Sequence, residues 1–207
     1  RVLRRLPKCV SDAPNSWAGL PDNDTMPCDD CLQANCTRVH SSGHTPEQSS
    51  PGHFSIDIYA LGVTAVHGGY KYAFGVHDLY SKLTWVKLMK HKSESTACLR
   101  EFHRFCNRHN VSIRHIHGDN DTTFGRSQTS AEYLTGDFGK LIREEIKCGF
   151  STCNENDPRG NGAMEVQWRI HANDTRSMLQ MSGLPRNYAG HALLHSVRTS
   201  WFLPSSN

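Results

Sequence analysis

The chain has 207 residues, 37% of them apolar, enough to bury one ordinary core, and by length it reads as one domain with at most an appended piece. Its 23 Lys and Arg exceed its 20 Asp and Glu by only three, so the charge balance does not announce a nucleic-acid partner and any such reading must come from motifs. No apolar run of about 18 residues exists, and the start "RVLRRLPKCV" has neither an initiator Met nor the apolar core of a signal peptide, so the chain is expected to be soluble, not secreted, without a membrane partner, and a fragment of something longer.

Residues 1–50 are rich in Pro, Asn, Asp, Ser and Cys without sustained periodicity, which predicts a small irregular module and a linker ending at "SSGHTPEQSSPG". Residues 51–207 form the domain proper. "HFSIDIYALG", "YKYAFGVHD" and "LTWVKLM" read as a meander of three strands. "SESTACLREFHRFCNRHN" places Cys98, Phe102, Phe105 and Cys106 on one helical face, with Ser93 or Ser95 as the expected cap. "VSIRHIHGD" returns to a strand pattern that stops at Gly118, and "FGKLIREEIKCGF" reads as a helix up to Gly149. A short strand near 150–153, a helix over about 162–181 and a final helix over about 185–202 complete the chain. This order predicts an α/β fold: a mixed sheet with helices on both faces.

Eight Cys and the sequons at Asn23, Asn35, Asn110, Asn120 and Asn173 invite a secreted, disulfide-linked reading. It is disfavoured. Cys98 and Cys106 fall within a helical apolar pattern, and Cys148 and Cys153 flank the short strand, so these four are expected as reduced thiols behaving as small hydrophobes.

Three acids stand where a sheet fold exposes side chains. Asp57 lies inside the first strand between Ile56 and Ile58, where a carboxylate is costly without a partner. Asp119 follows Gly118 at the C-terminal end of the fourth strand, a usual place for ligand-handling residues. Glu165 comes early in a helix, after "RGNG". Singly, Asp119 is explained by turn chemistry and Glu165 by the positive end of its helix. Together, on neighbouring elements, three carboxylates would repel unless divalent cations held them, and hard oxygen ligands favour Mg²⁺ or Mn²⁺.

From about Cys28 to Asn207 the chain resembles the catalytic core of retroviral-type (DDE) integrases, in particular those of copia-type retrotransposons. "CDDC" followed by a linker and "HFSIDIYALG" is similar to the family's Cys-x-x-Cys and first-Asp strand. "YKYAFGVHDLYSKLTWVKLMKHKSES" looks like its second and third strands and helix entry. "HGDN" resembles the second-Asp motif, "PRGNGAME" the Pro-x-x-Asn-Gly-x-x-Glu before the catalytic Glu, and "RSMLQMSGLPRNYAGHAL" the continuation after that helix.

The resemblance implies an RNase H-like fold with a five-stranded mixed sheet. It implies a catalytic triad of Asp57, Asp119 and Glu165 holding two Mg²⁺ or Mn²⁺ ions for in-line attack on DNA phosphodiesters: trimming of 3′ ends by water, then joining of the 3′-hydroxyl to target DNA. It further implies DNA as partner, both element ends and target, a homo-oligomer, and a location in the nucleus or a cytoplasmic virus-like particle. Arg169, one turn after Glu165, pairs with it in the simplest reading; by resemblance it contacts DNA phosphate, and Lys140, Arg143, Lys147 and Arg159 would extend that surface. Cys28 and Cys31 have the spacing of half a Zn²⁺ site, its other half either missing from this chain or supplied by Cys36 with His40 or His44. The glycines before Glu165 are expected to let the backbone bend so that its carboxylate can reach the metals.

The departures from the family are a second acid in Asp119-Asn120-Asp121 where Asp-Asn-Gly is usual, 45 residues between Asp119 and Glu165, Val166 in place of a basic residue, and Tyr188-Ala189 where an aromatic, often Trp, is expected. They keep open an inactive or domesticated nucleic-acid-binding protein of the same fold. A nuclease acting on RNA–DNA hybrids is disfavoured by the Cys-x-x-Cys and Asn-Gly-x-x-Glu motifs.

Overall fold

A computed structural model describes residues 50–119, 136–152 and 161–203. Its first strand, β1 (His53–Ala60), alternates as a two-faced strand should: Phe54 and Ile56 are buried on one side, while Ser55, Asp57 and Tyr59 project from the other. Antiparallel pairing continues through β2 (Tyr72–Asp78) to β3 (Thr84–Met89). On its other edge β1 pairs in parallel with β4 (His115–Gly118), which pairs in parallel with β5 (Gly149–Thr152). The sheet order is β3-β2-β1-β4-β5, with Asp57 on its central strand. Together with helices on both faces this is the five-stranded mixed sheet of an RNase H-like fold, as expected.

Helix α1 (Ser95–Arg108) buries Cys98, Leu99, Phe102 and Cys106, the i, i+1, i+4, i+8 stripe of an amphipathic helix, against the Phe54, Ile56, Phe74 and Val76 face. Phe54 and Phe102 meet edge to face at 5.2 Å. Helix α2 (Asp137–Lys140) adds Phe138 to the same core and runs on as a π-helical stretch (Leu141–Ile146) that adds Leu141 and Ile142. The opposite face is covered by α3 (Gly162–Ser182) and α4 (Ala189–Ser200), which bring Met164, Trp168 and Leu193 onto Ala73 and Leu88.

Three local expectations change. The α2 helix stops at Lys147, in a left-handed conformation with φ 58°, rather than at Gly149, because the wide π turn is closed by the Lys147 N–H donating to the Ile142 carbonyl at 2.7 Å. The last helix is split by Pro185, whose extended backbone leads into a tight 3₁₀ turn, Arg186–Tyr188, before α4. Neither Ser93 nor Ser95 caps α1; instead the Glu94 carboxylate accepts the His91 N–H at 3.1 Å across the preceding 3₁₀ turn, and Ser95 is buried. Cys98, Cys106 and Cys148 are free thiols, pushed up by burial to about 12, 12 and 11, and so inert as nucleophiles. Cys153 lies outside the described residues. Among the described residues no helix is long and apolar enough to cross a membrane.

Candidate active site

The same-face row Ser55, Asp57, Tyr59 on β1 meets α3 at three successive points. At the first, Asn161, the residue just before α3, is buried, and its side chain leaves its own helix to reach β1. Its Nδ2 donates to the Ile56 carbonyl at 3.1 Å and its Oδ1 accepts from the Ser55 hydroxyl. Its backbone carbonyl meanwhile accepts from the Met164 and Glu165 N–H groups at 3.0 and 3.2 Å, starting the helix. One asparagine therefore fixes the start of α3 to the central strand beside Asp57, and Glu165 follows in the first turn of α3.

At the second point, the Trp168 indole N–H donates to Asp57 Oδ2 at 3.0 Å, while Oδ1 accepts the Ile58 N–H at 2.7 Å. At the third, the Trp168 ring stacks on Tyr59, centroids 5.2 Å apart. The close approach needs Gly75, which pairs with Asp57 across β1 and β2. A Cβ at Gly75 would collide with Met164 Cε and the Trp168 ring, so any larger residue would have to push those side chains aside for the helix to lie this close.

Asp119 arrives from the other side. The parallel register of β1 and β4 ends at Ile56 opposite Gly118, and Asp57 and Asp119 are the next residue on each strand. The three acids share one electrostatic environment: burial raises the Asp57 pKa most, the bonds from Ile58 and Trp168 oppose it, and the negative charges of Asp119 and Glu165 raise it further. Asp57 is half-buried, whereas Asp119 and Glu165 are exposed at the rim.

Three carboxylates without thiol or imidazole form a hard-oxygen donor set of the kind Mg²⁺ and Mn²⁺ take, and the repulsion felt at Asp57 is what a cation would relieve, so the donor chemistry fits. Among the described residues, though, no group of three or more His, Cys, Asp or Glu is gathered closely enough to hold an ion.

The remaining candidates divide. Arg169 is half-buried in α3, and among the described residues the ion pairs are Lys87 with Glu101 and Arg100 with Glu145, so the expected i,i+4 pair of Glu165 with Arg169 does not form. Lys140, Arg143 and Lys147 are exposed along α2 and its end. Arg159, Asp121, Cys28 and Cys31 lie outside the described residues. Gly162 is the first residue of α3 and has no positive φ, Gly160 lies outside the described residues, and Asn161 anchors the turn that carries Glu165. The signals for the residues that sequence reading passed over were present: an Asn at a helix start, a Gly inside a strand opposite Asp57, and a Trp one turn after Glu165.

No protein family matches the chain, and no curated protein matches it. Among solved structures it has the fold of retroviral integrases. The cryo-EM structure of the simian T-cell lymphotropic virus intasome in complex with the PP2A regulatory subunit B56 gamma is similar at a TM-score of 0.57 and 19% identity, covering 83% of this chain and 56% of that one. The chain thus spans little more than half the length of that relative. The crystal structure of the catalytic core domain of BIV integrase aligns at a TM-score of 0.47 and 13% identity, covering 71% of this chain and 83% of that one.

Proposed function

We propose that this chain is the catalytic core of a retrotransposon integrase of the copia type, a polynucleotidyl transferase that trims the 3′ ends of element DNA and joins them to target DNA. The observation that carries this reading is the electrostatic coupling of Asp57, Asp119 and Glu165 from a central strand, its parallel neighbour and a helix clamped to that strand. These three residues would hold two Mg²⁺ or Mn²⁺ ions, whose chemistry when bound is to activate an attacking oxygen and stabilise a leaving one in a phosphodiester displacement. The protein's own part is placement. Trp168 orients the Asp57 carboxylate, Asn161 holds the first turn of α3 and with it Glu165, and Gly75 allows the helix to come this close. Arg169, Lys140 and Arg159 would contact DNA phosphates and position the strand without reading its sequence. Cys28 and Cys31 would supply two sulfur ligands to a Zn²⁺ ion. The working form is a homo-oligomer on DNA, in the nucleus or a cytoplasmic virus-like particle.

A second reading, a catalytically inactive or domesticated nucleic-acid-binding protein of the same fold, is supported by two observations: both Asp57 oxygens already accept hydrogen bonds, and the described acids are not drawn together to ligating distance. The discriminating experiment is strand transfer with Mn²⁺ on a short duplex carrying the parent element's ends. Joined products that vanish with Asp57→Asn support the enzyme. A folded wild type that binds DNA without joining it supports the second reading.

A further inference from the structure

Away from the acids, three rings gather where the connection between β1 and β2, residues 61–71, meets the start of α4. Backbone bonds hold the two segments together. The Ala65 N–H donates to the Tyr70 carbonyl at 2.8 Å, closing a turn over Gly68 and Gly69, both at positive φ, and the Val66 N–H donates to the Asn187 carbonyl at 2.9 Å. His67, exposed in this turn, is thereby set against α4. Its ring centroid lies 5.8 Å from that of His191 and 6.1 Å from that of Tyr188, and Tyr188 lies 6.4 Å from His191.

His191 is in the first turn of α4, four residues after Asn187, a spacing that puts the two side chains on one helical face. Each carries an orphan. Among the described residues His191 Nε2 and Asn187 Oδ1 are buried and have no hydrogen-bond partner. They do not satisfy each other, although an Nε2–H within reach of the amide oxygen would do so. Buried polar atoms left unpaired are costly, and two of them next to a second imidazole call for a ligand that accepts lone pairs.

The ring spacing suits a metal ion. With metal–nitrogen bonds of about 2.1 Å and ring nitrogens about 1.1 Å from their centroids, two imidazoles on one ion have centroids about 5 Å apart at a tetrahedral angle and about 6.5 Å apart when opposed. The observed 5.8 Å falls between these limits. Two imidazoles and a carboxamide oxygen suit Zn²⁺ or Ni²⁺, whereas the carboxylates of the acid cluster suit Mg²⁺ or Mn²⁺. We propose that His67, His191 and Asn187 bind one Zn²⁺ or Ni²⁺ ion, which fastens the β1–β2 connection to the start of α4. The site is separate from the acid cluster and does not depend on the chain being an integrase.

The test is equilibrium dialysis of the full chain against Zn²⁺ and, separately, Ni²⁺, in a Cys28→Ser, Cys31→Ser background so that those thiolates do not contribute. His67→Gln and His191→Gln should each weaken one bound ion per chain by about tenfold or more, for whichever metal binds the tighter. His195→Gln, one turn further along α4 and exposed, should bind like the background. Hydrogen exchange followed by NMR gives a local readout: the Val66 amide should exchange more slowly once the ion is added to the background chain, and at an unchanged rate in His67→Gln. His67 sits in an exposed turn, so its variant keeps the test decisive even if the α4 variant loses stability. The proposal is overturned if His67→Gln binds both metals like the background, the result expected were water rather than an ion to bridge His191 and Asn187, or if His195→Gln loses the ion as His191→Gln does, which would place it along α4 alone.

Discussion

Replacing Asn161 by Ala separates two accounts of the residue that starts α3. As an ordinary helix cap it would lose about 1 kcal/mol on truncation. The structure assigns it a different role, because its side chain makes no bond to its own helix and bridges instead to Ser55 and to the Ile56 carbonyl, both on β1. The residue is 5% exposed and Ser55 2%, so truncation leaves a hydroxyl and a carbonyl lacking a partner away from water. With about 1–3 kcal/mol for each group so stranded, the expected loss is about 2–6 kcal/mol. Asn161→Asp sharpens the comparison: an aspartate is as good a cap, but it cannot donate to Ile56 O and would add a charge beside Asp57. It should therefore be at least as damaging as alanine. Urea unfolding followed by circular dichroism measures both, with the slope against denaturant unchanged if the unfolded state is unaffected. A loss below about 1 kcal/mol in Asn161→Ala, or an Asp variant as stable as wild type, would refute the clamp.

Glu165→Gln should change stability by less than about 1 kcal/mol, since Glu165 is exposed in the first turn of α3, yet reduce strand transfer by orders of magnitude, with Glu144→Gln on α2 as the active control. Gly75→Ala should destabilise by about 1–3 kcal/mol in a thermal melt, because the new methyl displaces Met164 and Trp168, and it should also impair joining by disturbing the Trp168 bond to Asp57. Millimolar Mg²⁺ or Mn²⁺ should raise the melting temperature of the wild type but not of Asp57→Asn; equal gains in both would place the ion elsewhere. Burial first, then the charge of Lys82, pushes His77 down to about 4. The unfolded state therefore takes up the proton first, and stability present above about pH 6.5 should fall by roughly 3 kcal/mol as the pH drops toward 4. His115 and His171, also lowered by burial, act in the same direction, so His77→Gln should flatten this dependence in pH-titrated urea melts without abolishing it.

Strand and helix identities were legible because they depend on local period: alternating residues in "HFSIDIYA" and the Cys98, Phe102, Cys106 stripe carry their own burial pattern. Asp57 stood out for a similar reason, as a charge inside a strand. Helix ends were less legible. The stop at Lys147 depends on a π turn closed across five residues, which leaves no periodic trace.

By itself, then, the sequence determined which segments are strands and helices, which thiols are core material and which acids merit attention, since each follows from neighbours along the chain. The tertiary structure alone decided that β1 is central with β4 as its parallel partner, that Asn161 spends its side chain on a strand 105 residues away, and that Trp168 grips Asp57 over a glycine. These contacts join distant segments, and their partners are chosen by the packing of α3 onto the sheet rather than by any local pattern. The electrostatic coupling of Asp57, Asp119 and Glu165 belongs to the same category: the charges of Asp119 and Glu165, far from Asp57 along the chain, raise the Asp57 pKa only after a parallel strand pair and a clamped helix have brought them to one edge of the sheet.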